Sequence, residues 1–212
     1  KKQFPIPTQD CFMGTTLTDN TILMNLSAVA GDALDPWELN RMDRELREQI
    51  IVIFNWLKKE FPEFADAELV TSAARMGVRA SRNIAGKKML TIEDIDANLD
   101  FDEPIAWGFR SYGDHFIHTF RSPWRKAQTG RQAIPYDSLK AAPIENLLAA
   151  GRCIAVDIKA LTTIRLMPCC IATGLAAGTA AAMNIPEYSK LAEELKKYNY
   201  ELKNFQNSKK EN

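Results

Sequence analysis

The twenty residues Leu166 to Ile185, LMPCCIATGLAAGTAAAMNI, carry no charge, and they constrain the fold more than any other stretch of the chain. A run of that length is enough to cross a bilayer as a helix. Its composition argues otherwise: Pro168, Thr173, Gly174, Gly178, Thr179 and the alanines leave few of the Leu, Ile and Phe side chains that drive insertion, so no membrane span is expected. What remains is a thin helix beginning near Pro168, whose small residues let a neighbour or a flat ligand come close to its backbone. The amides of its first turn have no partner within the helix and lie at the positive end of its dipole, which suits an anion or an electron-rich ring. A helix buried for packing alone would give the same pattern. If the helix cradles a ligand, Gly174 and Gly178, on one face with Cys170 and Ala181, form its close-packed side, and Thr173 on the opposite face matters less.

Ahead of this helix, NLLAA reads as a buried strand and the following Gly151 and Arg152 as a turn, which gives a strand-turn-helix segment with Arg165 just before the helix. Lys plus Arg and Asp plus Glu number 27 each, so no overall field recruits nucleic acid. Cys11, Cys153, Cys169 and Cys170 lack the C-x-x-C spacing and the paired histidines of a zinc site, and no metal is expected. They read as reduced thiols of a cytoplasmic protein.

Upstream, TILMNL at 21–26 reads as a strand. Asp35 offers an N-cap, Pro36 the first helical position and Glu38 a capping-box acid. Leu39, Met42, Leu46, Ile50, Ile53 and Leu57 then form one apolar stripe, which predicts a long amphipathic helix over 36–61. AELVTSAARMGVRASRNIAG suggests two short strands about a glycine turn. From Pro186 onward Tyr188, Leu191, Leu195, Tyr198, Leu202 and Phe205 share a helical face. Alternating strands and helices make the class mixed α/β or α+β. The boundaries expected are 1–132, 133–183 and a helical tail over 184–212.

The block IPYDSLKAAPIENLLAAGRCIAVDIKALTTIRLMPCCIATGLAAGTAAAM, with LDPWELNRMDRELREQ, FPEFADAELVTSAARMGVRASRNIAG and LTIEDI before it, resembles the FAD-dependent oxidoreductase family, within the glutathione-reductase-like flavoproteins. The resemblance covers most of residues 20–183. It implies a substrate domain followed by a segment that returns to a Rossmann-like FAD domain. On this resemblance Gly151 and Arg152 lie on the ribityl and pyrophosphate side of FAD. Arg165, Met167, Pro168 and the amides of Cys169 and Cys170 face the isoalloxazine. Arg79 and Arg82 match the family's G-V-R motif and would hold an anionic group of a small-molecule substrate. His115 or His118 would correspond to a histidine the family places before IPY. Where relatives carry a Thr-His-Glu stretch after the Gly-Arg turn, this chain has Asp157, Ile158 and Lys159, so no catalytic histidine carries over there.

A dinucleotide fingerprint needs glycines at n, n+2 and n+5. The glycines here stand at 14, 31, 77, 86, 108, 113, 130, 151, 174 and 178, and no two are separated by two. The expectation is therefore the C-terminal portion of a flavoenzyme, lacking its N-terminal FAD-binding half and retaining little FAD alone. Two further readings are a non-catalytic interaction module with a flavoprotein-derived fold, and a subunit that completes a FAD site on another chain.

Overall fold

The computed structural model describes residues 4–6, 12–108 and 132–198. These fall into two compact units, one ending at Ser81 and the other beginning at Arg82. Helices combined with two small antiparallel sheets make the protein a mixed α and β fold.

The first unit is organised by one long helix. Strands β1 (Phe12–Thr15) and β2 (Ile22–Asn25) form a hairpin in which Phe12 faces Asn25 and Thr15 faces Ile22. Helix α1 (Pro36–Glu60) begins where the Asp35 carboxylate accepts the Trp37 amide. Glu38, the expected capping-box acid, instead binds the Arg41 guanidinium at 2.8 Å. Arg41 also donates to the Ala30 carbonyl, and the Gln49 amide pairs both ways with the backbone of Ala28, at 3.0 Å in each direction. Gln49 is buried because it stands in for a neighbouring strand, satisfying a donor and an acceptor that the loop would otherwise bury unpaired. Ile53 and Leu57 pack with Ile6 and Leu26, and an edge-to-face series of Phe4, Trp56, Phe61 and Phe64 covers that core.

The two strands expected between Ala67 and Gly86 do not form: the backbone there is irregular, and its one bridge is from Gly86 to Ala141. Leu69, Val70 and Val78 are exposed, so an alternating strand would have no apolar surface to rest on.

In the second unit, β3 (Pro104–Gly108) pairs antiparallel with β4 (Gln132–Pro135), and nearly every side chain of both is buried. Helices α3 (Ile158–Ile164) and α4 (Met167–Ala182) pack on β3, α2 (Ile92–Asp96) packs on α3, and α5 (Tyr188–Lys196) packs on α4. Two buried tyrosines tie the segment leading from α4 into α5 to the sheet. The Tyr188 hydroxyl donates to Pro104 O at 2.9 Å, and that of Tyr136, just after β4, to Pro186 O at 3.3 Å. Burial and the charge of Glu103 push both phenols up to about 12, so they act as donors throughout the neutral range. A Schellman-type turn closes α4, with the amides of Asn184 and Ile185 donating to Ala181 O and Ala180 O.

Asp157 joins the short helices. One carboxylate oxygen caps α3 by accepting from Lys159 N and Ala160 N at 2.7 and 2.8 Å, while the other accepts from Ile92 N at 2.6 Å, at the start of α2. The Asp157 amide donates in turn to Leu90 O. Gly86 runs close beside this region: a Cβ added there would stand 2.4 Å from that of Ala155, which only glycine avoids.

The strand expected at NLLAA is a correction. Asn146 lies in a turn, only Leu148 bridges, to Lys140, and Leu147 is exposed, so the segment is held along one edge and is no ladder.

Because one carboxylate serves three amides, Asp157→Ala is expected to lower stability by about 2–3 kcal/mol in urea unfolding, with Asp157→Asn recovering part of the loss. A loss below about 0.5 kcal/mol would show that water replaces the carboxylate without cost.

Candidate functional site

Gly151 opens a tight turn, Gly151–Cys153, with a φ of 65° that side-chain-bearing residues rarely adopt. The turn is held from two sides. Asn83 Nδ2 donates to Arg152 O at 2.8 Å and Ile154 O at 2.9 Å, and Ile84 N donates to Cys153 O. On the other side the Gly151 amide donates to Thr173 Oγ1 at 2.9 Å, and that hydroxyl donates to Cys169 O within the first turn of α4. Thr173 thus connects the glycine turn to the start of the thin helix.

That start lies at a corner. Helix α3 ends at Arg165, α4 begins at Met167, and their axes are bent by 95°. Leu166, at the N-cap, has extended backbone but no side chain able to accept a hydrogen bond, so α4 begins without a side-chain cap. Leu166, Met167 and Pro168 are all exposed. The corner therefore presents the positive end of a sixteen-residue helix, directly after Arg165 in the chain and next to a turn whose first residue has no side chain.

The structure places Gly151 and Arg152 beside Cys170, on the helix whose first residues, Met167 and Pro168, follow Arg165. The Cys170 sulfur lies 3.5 Å from the position a Gly151 Cβ would occupy, and its thiol donates to Arg165 O. Burial raises its pKa, the nearby Arg152 guanidinium pulls it back, and Cys153 adds to the rise. Cys169 points the other way: its thiol is buried, donates to Trp107 O of β3, and is raised in pKa chiefly by that burial. Its amide belongs to the open turn, its sulfur to the core. Arg79 lies in the first unit and Arg82 in the second, both exposed. His115 and His118 lie outside the described residues.

Two residues central to this arrangement are easy to miss in the sequence. Asp157 stands out there only for replacing a family residue, although an aspartate directly before a helical stretch is a capping signal. Thr173 falls on the face of α4 expected to matter less, and the structure reverses that expectation. Thr173 is fully buried and hydrogen-bonded, along with the buried Ala176 and Ala180 on the same side of the helix. A methyl group added at Gly174 or Gly178 would meet no atom within 4 Å outside the helix's own backbone, so theirs is the open side.

A family model described as FAD dependent oxidoreductase matches residues 3–207, and the chain belongs to that family. No curated protein and no solved structure matches it. The family carries an FAD-linked redox role and implies FAD as the cofactor. Among the described residues no single helix is long and apolar enough to cross a membrane; α3 and α4 reach that length only as a pair, across their 95° bend.

Thr173→Val would leave the Gly151 amide without its partner and is expected to cost about 1–3 kcal/mol. Gly174→Ala puts a methyl group into open space and removes a helix-interior glycine, so it should stabilise by up to about 1 kcal/mol. Chemical denaturation of the two variants checks both signs, and a destabilising Gly174→Ala would show that the glycine face is packed.

Proposed function

We propose that this chain forms the isoalloxazine side of a FAD site in an oxidoreductase of the glutathione-reductase-like branch, acting on a small organic substrate. The observation that carries this reading is the uncapped start of α4, exposed at a 95° corner beside the Gly151 turn. FAD, when bound, supplies the redox chemistry by taking electrons from the substrate. The residues present suit it. Pro168 has no N–H and the Cys170 amide, expected to face the ring, donates instead to Leu166 O at 2.9 Å, so Met167 and Cys169 are left as first-turn donors for the carbonyl-rich pyrimidine edge. The helix dipole and Arg165 favour negative charge at that edge. Gly151, lacking a side chain, leaves room for the backbone of the turn to approach the ribityl chain, with Arg152 beside it.

In this reading the segment 133–183 is the part of a Rossmann-like domain that returns to the flavin after a substrate domain. The G-x-G-x-x-G loop that would grip the pyrophosphate is not among these 212 residues. Another stretch of polypeptide supplies it, and this chain by itself retains little FAD.

Leu166→Asp separates a flavin-facing corner from one that merely packs. Aspartate at an N-cap with extended backbone should stabilise α4 by about 0.5–2 kcal/mol. The same charge should repel the electron-rich edge of the flavin, lowering FAD retention and making bound flavin harder to reduce. Thermal unfolding, flavin content and redox titration of the flavin-loaded protein measure the two effects. A gain in stability with flavin affinity and potential unchanged would contradict the proposal.

A further inference from the structure

Three free cysteines lie among the described residues, and their surroundings differ. Cys153 is exposed, Cys169 is buried, and Cys170 is intermediate. Although Cys169 and Cys170 are neighbours in the chain, their sulfurs diverge. Cys169 turns to Trp107 O of β3, whereas Cys170 turns to the Gly151–Cys153 turn. The Cys170 side chain touches the first residue of that turn, with Sγ at 3.5 Å and Cβ at 3.6 Å from a Gly151 Cβ position, and the third residue of the same turn is Cys153. The turn is short, and Asn83 and Ile84 fix its carbonyls, so Cys153 is held close to the place where Cys170 packs. In agreement, both Arg152 and Cys153 act on the ionisation of Cys170. One thiol open to solvent and a second, half-buried thiol beside the same turn form a pair of sulfurs for which the flavin site has no use.

We propose that Cys153 and Cys170 are a redox-active pair that closes to an intramolecular disulfide by exchange with a low-molecular-weight disulfide. The Cys153 thiolate attacks one sulfur of the small disulfide, forming a mixed disulfide and releasing one small thiolate, which takes up the proton that Cys153 lost. Cys170 then loses its proton and attacks Cys153 Sγ, and the second small thiol leaves with that proton. Two protein thiols are oxidised and one small disulfide is reduced to two thiols, so atoms and electrons balance. Cys169 does not substitute, because its sulfur is buried against β3. The bond would tie the glycine turn to the first turn of α4 across the corner that α3 makes. The inference does not depend on FAD being bound.

The test is to incubate the reduced chain with oxidised glutathione, block remaining thiols with iodoacetamide, and map the products by tryptic digestion and mass spectrometry. Cleavage after Arg152, Lys159 and Arg165 places Cys153 and Cys170 on separate peptides. The expected product is a cross-linked pair of these peptides, with fragment ions locating the bond at Cys170, reversed by dithiothreitol and free of glutathione. In Cys170→Ser, glutathione should remain on Cys153. The proposal is overturned if the unaltered chain keeps glutathione on Cys153 without the cross-link, if Cys153 does not react, or if the bond joins Cys169 or Cys11.

Discussion

The backbone amides at the start of a helix have no partner inside it, and in the second unit that constraint is met twice by one side chain. Asp157 accepts from Lys159 and Ala160 at the start of α3 and from Ile92 at the start of α2. A carboxylate does this better than a neutral acceptor because it complements both helix dipoles as well as the amides. It fixes the direction of α3, and α3 in turn fixes where the chain reverses at Arg165 and where α4 begins. Thr91 and Asp94 cap α2 reciprocally. Burial would raise the Asp94 pKa, but the Thr91 amide and the Lys88 ammonium outweigh it and hold it below the ordinary carboxylate value. A depressed carboxylate stabilises the fold above its unfolded pKa and loses that contribution as pH falls through the folded value. The junction of α2 and α3 should therefore weaken in acid.

By contrast, α4 begins with no such side chain. Leu166 stands where Ser, Thr, Asp or Asn would ordinarily cap a helix, while Asp35, Thr91 and Asp157 do so for α1, α2 and α3. Helix α5 also begins without a side-chain cap, at Glu187, but only α4 of the two has its first turn braced by Thr173 against the Gly151 turn. A ligand with acceptor atoms would meet donors already held in place, and the ordering cost would have been met during folding. This is the physical basis for assigning the flavin edge to that corner.

Where local physics decides the structure, the sequence shows it. The stripe from Met42 to Leu57 and the Asp35-Pro36 start specify α1, since the helical spacing and the cap are both written within a few turns of chain. The small-residue helix is equally legible, and so is the glycine turn before it. Its orientation is not, because composition cannot tell which face of an alanine-rich helix meets the sheet; the structure buries Thr173, Ala176 and Ala180 and leaves Gly174 and Gly178 open. NLLAA and the segment from Ala67 to Gly86 have strand-like composition, but a strand needs a neighbour, and pairing is a long-range property that a short window does not contain. The pairing of Gln49 with Ala28, twenty-one residues apart, is hidden for the same reason.

The central claim is that the Gly151–Cys153 turn and the first turn of α4 form one surface against the flavin. Amide hydrogen exchange tests it most directly, followed by mass spectrometry on the chain together with the polypeptide that supplies the pyrophosphate loop, FAD-loaded and after FAD is stripped. The account predicts that FAD slows exchange in peptides covering 151–153 and 166–170 together, with little change in α1. Protection confined to other segments, or exchange at the α4 start that FAD leaves unaltered, would contradict it.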